Sequence, residues 1–261
     1  MKLVTFNIRC DYGEDGENNF VFRKPLILEK LRREEPDLIC FQEVLPHVAV
    51  WLKEALGEYY VIGCGRSQTL EDEQMAVAYR KDRLNLIAME TFWLSETPWV
   101  PGSRYPEQSI CPRTGTEALF ELLSSRQVFH LTNVHLDHEF PQARERGLAQ
   151  LLNRREAHRL FPQAPSVIAG DMNAEPDSPE MAALKTSPFR NVTEGIGVTY
   201  HGFGRADQPC SIDYILTCGF ICERVERWTE ERGGVYLSDH YPVCAVLHPE
   251  GGELAPDPFH P

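Results

Sequence analysis

The chain opens on Leu3-Val4-Thr5-Phe6-Asn7-Ile8, an almost unbroken run of apolar and β-branched positions. A run without polar alternation predicts a strand buried on both faces. After an acidic, Gly-containing loop at 13–19, Phe22, Leu26, Ile27 and Leu31 recur at helical spacing until Pro36. Residues 37–41 predict a second buried strand, ending at Gln42-Glu43. Val48, Trp51, Leu52, Ala55 and Leu56 outline another helix, stopped by Gly57. Strands are expected at 59–62, 75–79 and 84–94, then a hairpin of 116–123 and 127–134 around Ser124-Ser125. Between them, 95–112 carries four prolines and Trp99 and predicts a lid or rim. A charged helix over 142–160 keeps Leu148, Leu151 and Leu152 on one side, and strands at 166–169, 212–217 and 243–247 complete the pattern. Strands outnumber helices, and hairpins mix with crossover helices. That predicts an α+β fold, mixed sheets covered by outer helices. Without repeats or a Gly/Ser/Pro-rich linker, one domain over 1–248 is expected, with 249–261 a flexible tail.

Composition narrows the functional classes. At 261 residues and 42% hydrophobic, the chain can bury a substantial core. It contains no apolar run of about 18 residues, so no membrane span is expected. The N-terminal apolar stretch is too short for a signal peptide. Eight cysteines lack a CxxC pair or regular spacing, which points to reduced thiols and a cytoplasmic setting. Cys40, Cys218 and Cys244 read as small core fillers. The net charge of −13 opposes tight, sequence-independent binding to long nucleic acid. Small phosphoesters, nucleotides or short RNA or DNA ends fit better. Nothing indicates a protein partner or membrane, and a monomer is expected.

Candidate chemistry gathers at strand ends. Glu43 ends a buried strand, where a carboxylate needs a partner such as a magnesium ion; alternatively it opens an exposed loop. Asn7 sits between Phe6 and Ile8, as a ligand or as a satisfied core amide. Asp171 and Asn173 stand two apart after the strand at 166–169. If extended geometry persists they face one way, toward a water and a phosphate oxygen; the alternative is an Asx turn. Gly170 beside them permits close backbone approach. Asp213 is a charge inside the apolar segment Ile212 to Leu216, paired either with His240 or with an Arg. His135 lies in Asn133-Val134-His135-Leu136-Asp137-His138, which echoes a binuclear zinc signature. Asn133 in place of its first His removes a zinc donor.

The ordered fragments TFNIR (5–9), PDLICFQEV (36–44), NVHLDH (133–138), GDMNAEPDS (170–178), SIDYIL (211–216) and LSDHYPV (237–243) resemble the endonuclease/exonuclease/phosphatase superfamily, which shares the fold of DNase I and exonuclease III. The resemblance runs from Lys2 to about Leu247. FWLSETPWVPGS (92–103), YRKDRL (79–84) and YHGFG (200–204) resemble a bacterial branch similar to nocturnin-type deadenylases. Two positions depart from the family pattern. Arg9 replaces the acid of DNA-repair members, which argues against an abasic-site nuclease, and Ser211 replaces a frequent Arg.

The resemblance implies two packed mixed sheets flanked by helices, a DNase I-like four-layer fold with the site at one end. It implies a metal-dependent phosphoric ester hydrolase using Mg²⁺, or Mn²⁺, on a phosphodiester; a phosphomonoesterase and the zinc hydrolase remain alternatives. Glu43 would be the principal ligand, assisted by Asn7 and Asp239. Asp171 would activate water, helped by Asn173. His240, oriented by Asp213, would donate to phosphate, and His135 would stabilise the transition state or protonate the leaving group. Arg66, Arg80, Arg113 and His138 are expected at the pocket rim, the arginines for a second phosphate or for the non-reacting oxygens. Trp93, Trp99 and Tyr105 are candidates for stacking on a base.

Overall fold

The computed structural model describes residues 1–158 and 160–250. In chain order the strands are β1 (Lys2–Asn7), β2 (Leu38–Val44), β3 (Tyr59–Ile62), β4 (Gln74–Arg80), β5 (Leu84–Trp93), β6 (Thr114–Leu122), β7 (Val128–His135), β8 (Ser166–Asp171), β9 (Arg190–Asn191), β10 (Asp213–Cys218), β11 (Phe220–Arg227), β12 (Glu231–Arg232), β13 (Val235–Tyr236) and β14 (Val243–Pro249). The helices are α1 (Phe20–Glu34), α2 (Pro46–Ala55) and α3 (Pro141–Ala157). Proline at the first turn starts α2 and α3, where its missing N–H costs nothing.

One sheet has the order β11-β14-β1-β2-β4-β3, the other β5-β6-β7-β8-β10-β9, and β12 and β13 form a small ribbon. Both large sheets are mixed: β1 and β2 run parallel, as do β7 and β8, among antiparallel neighbours. Their strand residues alternate between two cores. Leu3, Leu38, Cys40, Val77, Leu131, Val167, Ala169, Ile215, Val243 and Ala245 fill the layer between the sheets. Val4, Phe6, Ile39, Phe41, Ala76 and Ala78 face the other way, under Ile27 and Leu31 of α1 and Val48 and Leu52 of α2. On the second sheet Phe92, Val134, Ile168 and Tyr214 pack under Leu148 and Leu151 of α3. Both faces are thus covered, which is why these strands lack a polar alternation.

Several expectations shift. Phe22 is exposed; the buried positions of α1 include Phe20, Arg23, Leu26, Ile27, Lys30 and Leu31. Pro249 belongs to β14, paired with Phe220, and Glu250 N–H reaches Gly219 O. The ordered chain therefore passes the expected boundary at 248, while residues 251–261 of the expected tail lie outside the described residues. The expected 95–112 loop carries Trp99, 74% exposed. Among the described residues no helix is long and apolar enough to cross a membrane, and all eight cysteines are free.

Candidate active site

At one end of the sandwich the inner-face positions turn from apolar to polar. Continuing the inward series of each strand are Asn7 on β1, Gln42 on β2, Asn133 and His135 on β7, Asp171 on β8 and Asp213 on β10, all buried. Register aligns them: Asn7 lies opposite Gln42, and Asp171 lies between His135 and Asp213 on neighbouring strands. A buried amide layer ties the sheets together beneath the site. Gln42 Nε2 donates to Asn133 Oδ1 at 2.7 Å, and Asn133 Nδ2 donates to Phe41 O at 2.8 Å and Ala76 O at 2.9 Å.

Glu43 arrives by a different route. Alternation would turn it outward with Phe41, but a register shift between Phe41 and Val44 and a φ of 61° at Glu43 re-aim its side chain. Glu43 Oε1 accepts from Asn7 Nδ2 at 2.9 Å, and Oε2 accepts from Cys10 N–H at 2.8 Å. Asn7 Nδ2 also donates to Asp171 Oδ2 at 3.0 Å, while Asn7 Oδ1 accepts from Arg9 N–H at 3.0 Å. A backbone N–H can only donate, so it fixes the amide with nitrogen toward the carboxylates. Asn7, expected as an assisting ligand, clamps Glu43 to Asp171 through Nδ2 here.

Gly170 lets β8 approach β7. It has a φ of 151°, and a Cβ there would meet Val134 O at 1.9 Å. Asn173 does not continue the strand as supposed. It sits beyond β8 at a φ of 48°, its N–H donating to Asp171 Oδ1 at 2.8 Å. Its Nδ2 donates to His135 Nε2 at 2.8 Å and to Leu136 O at 3.1 Å. His135 therefore carries its proton on Nδ1, which is buried without a hydrogen-bond partner. His240 Nδ1 contacts Asp213 Oδ2 at 2.8 Å, the anticipated pair, and its Nε2 lies 3.8 Å from Asp171 Oδ2. Tyr200 packs its ring against His240 at 5.0 Å. Asp239 accepts from Ser238 Oγ at 3.1 Å and lies 3.8 Å from Arg9 Nε.

These neighbours set the charge states. Burial alone would discharge His240, but Asp213, Asp171 and Asp239 hold its pKa well above the ordinary histidine value, as imidazolium. Burial, reinforced by Arg113, holds His135 well below it, neutral. Burial opposes ionisation of Glu43, yet the Cys10 N–H, the Asn7 amide and the nearby His240 imidazolium keep its carboxyl below the usual range. Asp171 is raised by burial and by Asp213; Asp239 is raised by burial and by Glu43. Such crowded oxygen donors suit a hard divalent cation, whose charge would relieve their repulsion.

The pocket over this cluster holds about 420 Å³ and is lined by Glu43, Asp171, Asn173, Asp239, His135 and His240, and on one wall by Arg66, Glu73, Arg113 and His138. Arg80 is not among its lining residues. Strand β4 runs antiparallel to β2, so Arg80 ends it far from Glu43, hydrogen-bonded to Asp82 at 2.8 Å through two nitrogens. The candidates for stacking on a base lie elsewhere too. Trp93 is buried and donates to Arg66 O at 2.7 Å, Tyr105 is buried against Gln150, and Trp99 borders a separate groove. The zinc tetrad disperses: Asp137 accepts from Ser109 and from Glu139 and Phe140 N–H, and His138 Nδ1 accepts from Arg113. Arg9, Cys10, Tyr12, Glu73 and Tyr200 also line the pocket and were not anticipated as site residues.

Among the described residues two groups offer metal-ligand atoms within 4.8 Å of one another, Asp171, Asp213 and His240, and remotely Glu117, His130 and His158. In the first, Asp213 is committed to His240. In the second, the rings of His130 and His158 stack at 3.6 Å and 17°, so their in-plane lone pairs do not converge.

Solved structures share this architecture. An endonuclease/exonuclease/phosphatase from Bacteroides vulgatus is 29% identical at a TM-score of 0.89, covering 95% of this chain and 98% of its own. The Bacteroides thetaiotaomicron mannosyl-6-phosphatase is 24% identical at 0.85, covering 95% and 99%. The human nocturnin catalytic domain with bound sulfate is 18% identical at 0.75, covering 95% and 93%. A search of curated proteins gave no match. The sequence itself matches the Endonuclease/Exonuclease/phosphatase family over residues 4–240, a span from the first buried strand to His240. With the two packed mixed sheets and the polar cluster at their end, that match makes the chain a member of the endonuclease/exonuclease/phosphatase family, whose enzymes are phosphoesterases.

Proposed function

We propose that this phosphoesterase depends on Mg²⁺ or Mn²⁺ and hydrolyses its ester by in-line attack of water, without a covalent enzyme intermediate. The observation that carries the reading is the charged His240–Asp213 pair set beside Asp171 and Glu43 in one buried cluster. Glu43 and Asp239 would hold the cation, with Asn7 fixing Glu43. Bound there, the cation supplies charge neutralisation at a phosphoryl oxygen and at the departing oxygen. Asp171, oriented by the Asn7 amide and the Asn173 N–H, accepts the proton of the attacking water. His240 donates from Nε2 to a non-bridging phosphate oxygen. His135, anchored by Asn173 with its Nε2 3.5 Å from Asp171 Oδ2, would stabilise the transition state.

The reading covers diesters, as in a nuclease or a small-molecule phosphodiesterase, and monoesters. The monoester reading is supported by the Arg66–Glu73 wall of the pocket and by the fold shared with a mannosyl-6-phosphatase. A hydrolysis panel in Mg²⁺ and in Mn²⁺ tests it: oligoadenylate, single- and double-stranded DNA, dinucleotides, nucleoside phosphates and sugar phosphates. Turnover of at least one ester class is expected, and silence across all of them contradicts the reading.

A further inference from the structure

The pocket wall beyond the catalytic cluster has a composition the proposed chemistry does not use. Glu73 is buried and takes both terminal nitrogens of Arg66, Nη2 to Oε1 at 3.0 Å and Nη1 to Oε2 at 2.9 Å. Arg66 Nε donates to Asp72 Oδ2 at 3.0 Å. Next to this pair Arg113, also buried, donates through Nη2 to His138 Nδ1 at 2.7 Å, while its Nε is buried without a hydrogen bond. The pair is built in advance. Arg66 N–H bonds Glu73 O at 3.0 Å, and Gly65, where a Cβ would meet Glu71 O at 2.1 Å, lets the loop fold back on itself.

We propose that the Arg66–Glu73 pair, with Arg113 beside it, recognises a polyhydroxylated, uncharged group on the phosphoester, making the substrate a sugar phosphate. The inference rests on the phosphoesterase reading of the same site. Arg66 is already matched by Glu73 and Asp72, and Arg113 lies 3.8 Å from Asp137 Oδ2, so most of the charge of this wall is neutralised within the protein. Neighbouring hydroxyls suit the wall in both directions: they donate to the remaining lone pairs of Glu73 and accept from guanidinium N–H groups.

The test measures steady-state rates of the full chain in Mg²⁺ on glucose and mannose 6-phosphate, their monodeoxy analogues, 4-nitrophenyl phosphate and ADP. A site built to bond hydroxyls rejects analogues that lack them, so kcat/KM for a hexose phosphate should exceed that for ADP and the aryl ester by about tenfold or more, and deletion of at least one hydroxyl should cost about tenfold. Glu73→Gln should lower kcat/KM for the hexose phosphate about tenfold more than for the aryl ester, the difference lying in KM. The deoxy series needs no variant, so it stands even if Glu73→Gln fails to fold. Aryl ester and all deoxy sugars turned over as well as the parent sugar would overturn the inference and leave the hydrolase reading intact. So would a Glu73→Gln protein that slows every ester equally or needs more Mg²⁺, because Glu73 would then serve the fold or the cation. Absence of turnover on every ester would overturn the hydrolase reading, and this inference with it.

Discussion

Asp213 and His240 show what a sequence can reveal about a site at the level of single residues. A carboxylate inside an apolar strand must find a partner, and the chain offers His240, three residues before β14; they meet at 2.8 Å. Glu43 was readable as a burdened carboxylate, but not the backbone that aims it, because a register shift and a left-handed residue leave no mark on hydropathy. Asn133 stands in the sequence where a zinc ligand is missing. Its actual work is to satisfy Phe41 O and Ala76 O beside that shift. Asn133→Leu should therefore destabilise the fold by roughly 2–4 kcal/mol, through two buried carbonyls left without donors. Urea unfolding checks this, and an unchanged midpoint would contradict it. Replacing Asp171 by Asn or His240 by Ala should lower kcat by about 10²–10⁴-fold, as expected for general-base and electrostatic groups; the melting temperature should be nearly retained for Asp171→Asn and lowered for His240→Ala, which leaves Asp213 buried without its partner. Stopped-time phosphate release measures it, and near wild-type rates in either variant would remove the residue from its assigned role.

At the level of elements, β1, β2, β7, β8, β10 and β14 were legible in outline because strands covered on both faces read as continuous apolar runs. Strand β11 escaped because it is an edge strand with several exposed polar positions, and β9, β12 and β13 are too short to carry a pattern. Arg80 was misplaced for a topological reason: hydropathy marks β4 but not its antiparallel direction, which decides which end reaches the site. Gly170 tests the packing of β7 on β8. An added methyl would sit 1.9 Å from Val134 O, and the φ is 151°, so Gly170→Ala should cost about 3 kcal/mol or more and reduce soluble yield. A wild-type melting curve for that variant would contradict the close approach. The end of α1 is tied to β1 by Lys2, which donates to Glu34 at 2.7 Å, and Lys30 within the helix donates to the same carboxylate at 2.9 Å. Burial alone would raise the Glu34 carboxyl, but the two ammonium groups lower it from 4.5 to about 2. A depressed carboxylate stabilises above its ordinary value, and that stability is lost as pH falls from about 4.5 toward 2. The melting temperature of Glu34→Gln should thus fall less than that of the wild type between pH 6 and pH 3. Equal falls would contradict the linkage.

For the molecule as a whole, the two sheets serve as a clamp whose inner layer is apolar along most of its length and acidic at one end. The net charge of −13 and a pocket crowded with carboxylates belong together, because both favour a cation and a compact phosphoester over an extended polyanion. The central claim is that Glu43, beside Asp239 and Asp171, makes hydrolysis depend on a divalent cation. It is tested most directly by titrating Mg²⁺ into metal-stripped wild type and Glu43→Gln while following phosphoester hydrolysis. The account predicts no turnover in excess EDTA, saturable recovery for the wild type, and a rate lower by about 10²-fold or more for Glu43→Gln at the same Mg²⁺. Equal turnover with and without chelator, or a Glu43→Gln curve superimposed on the wild type, would contradict it.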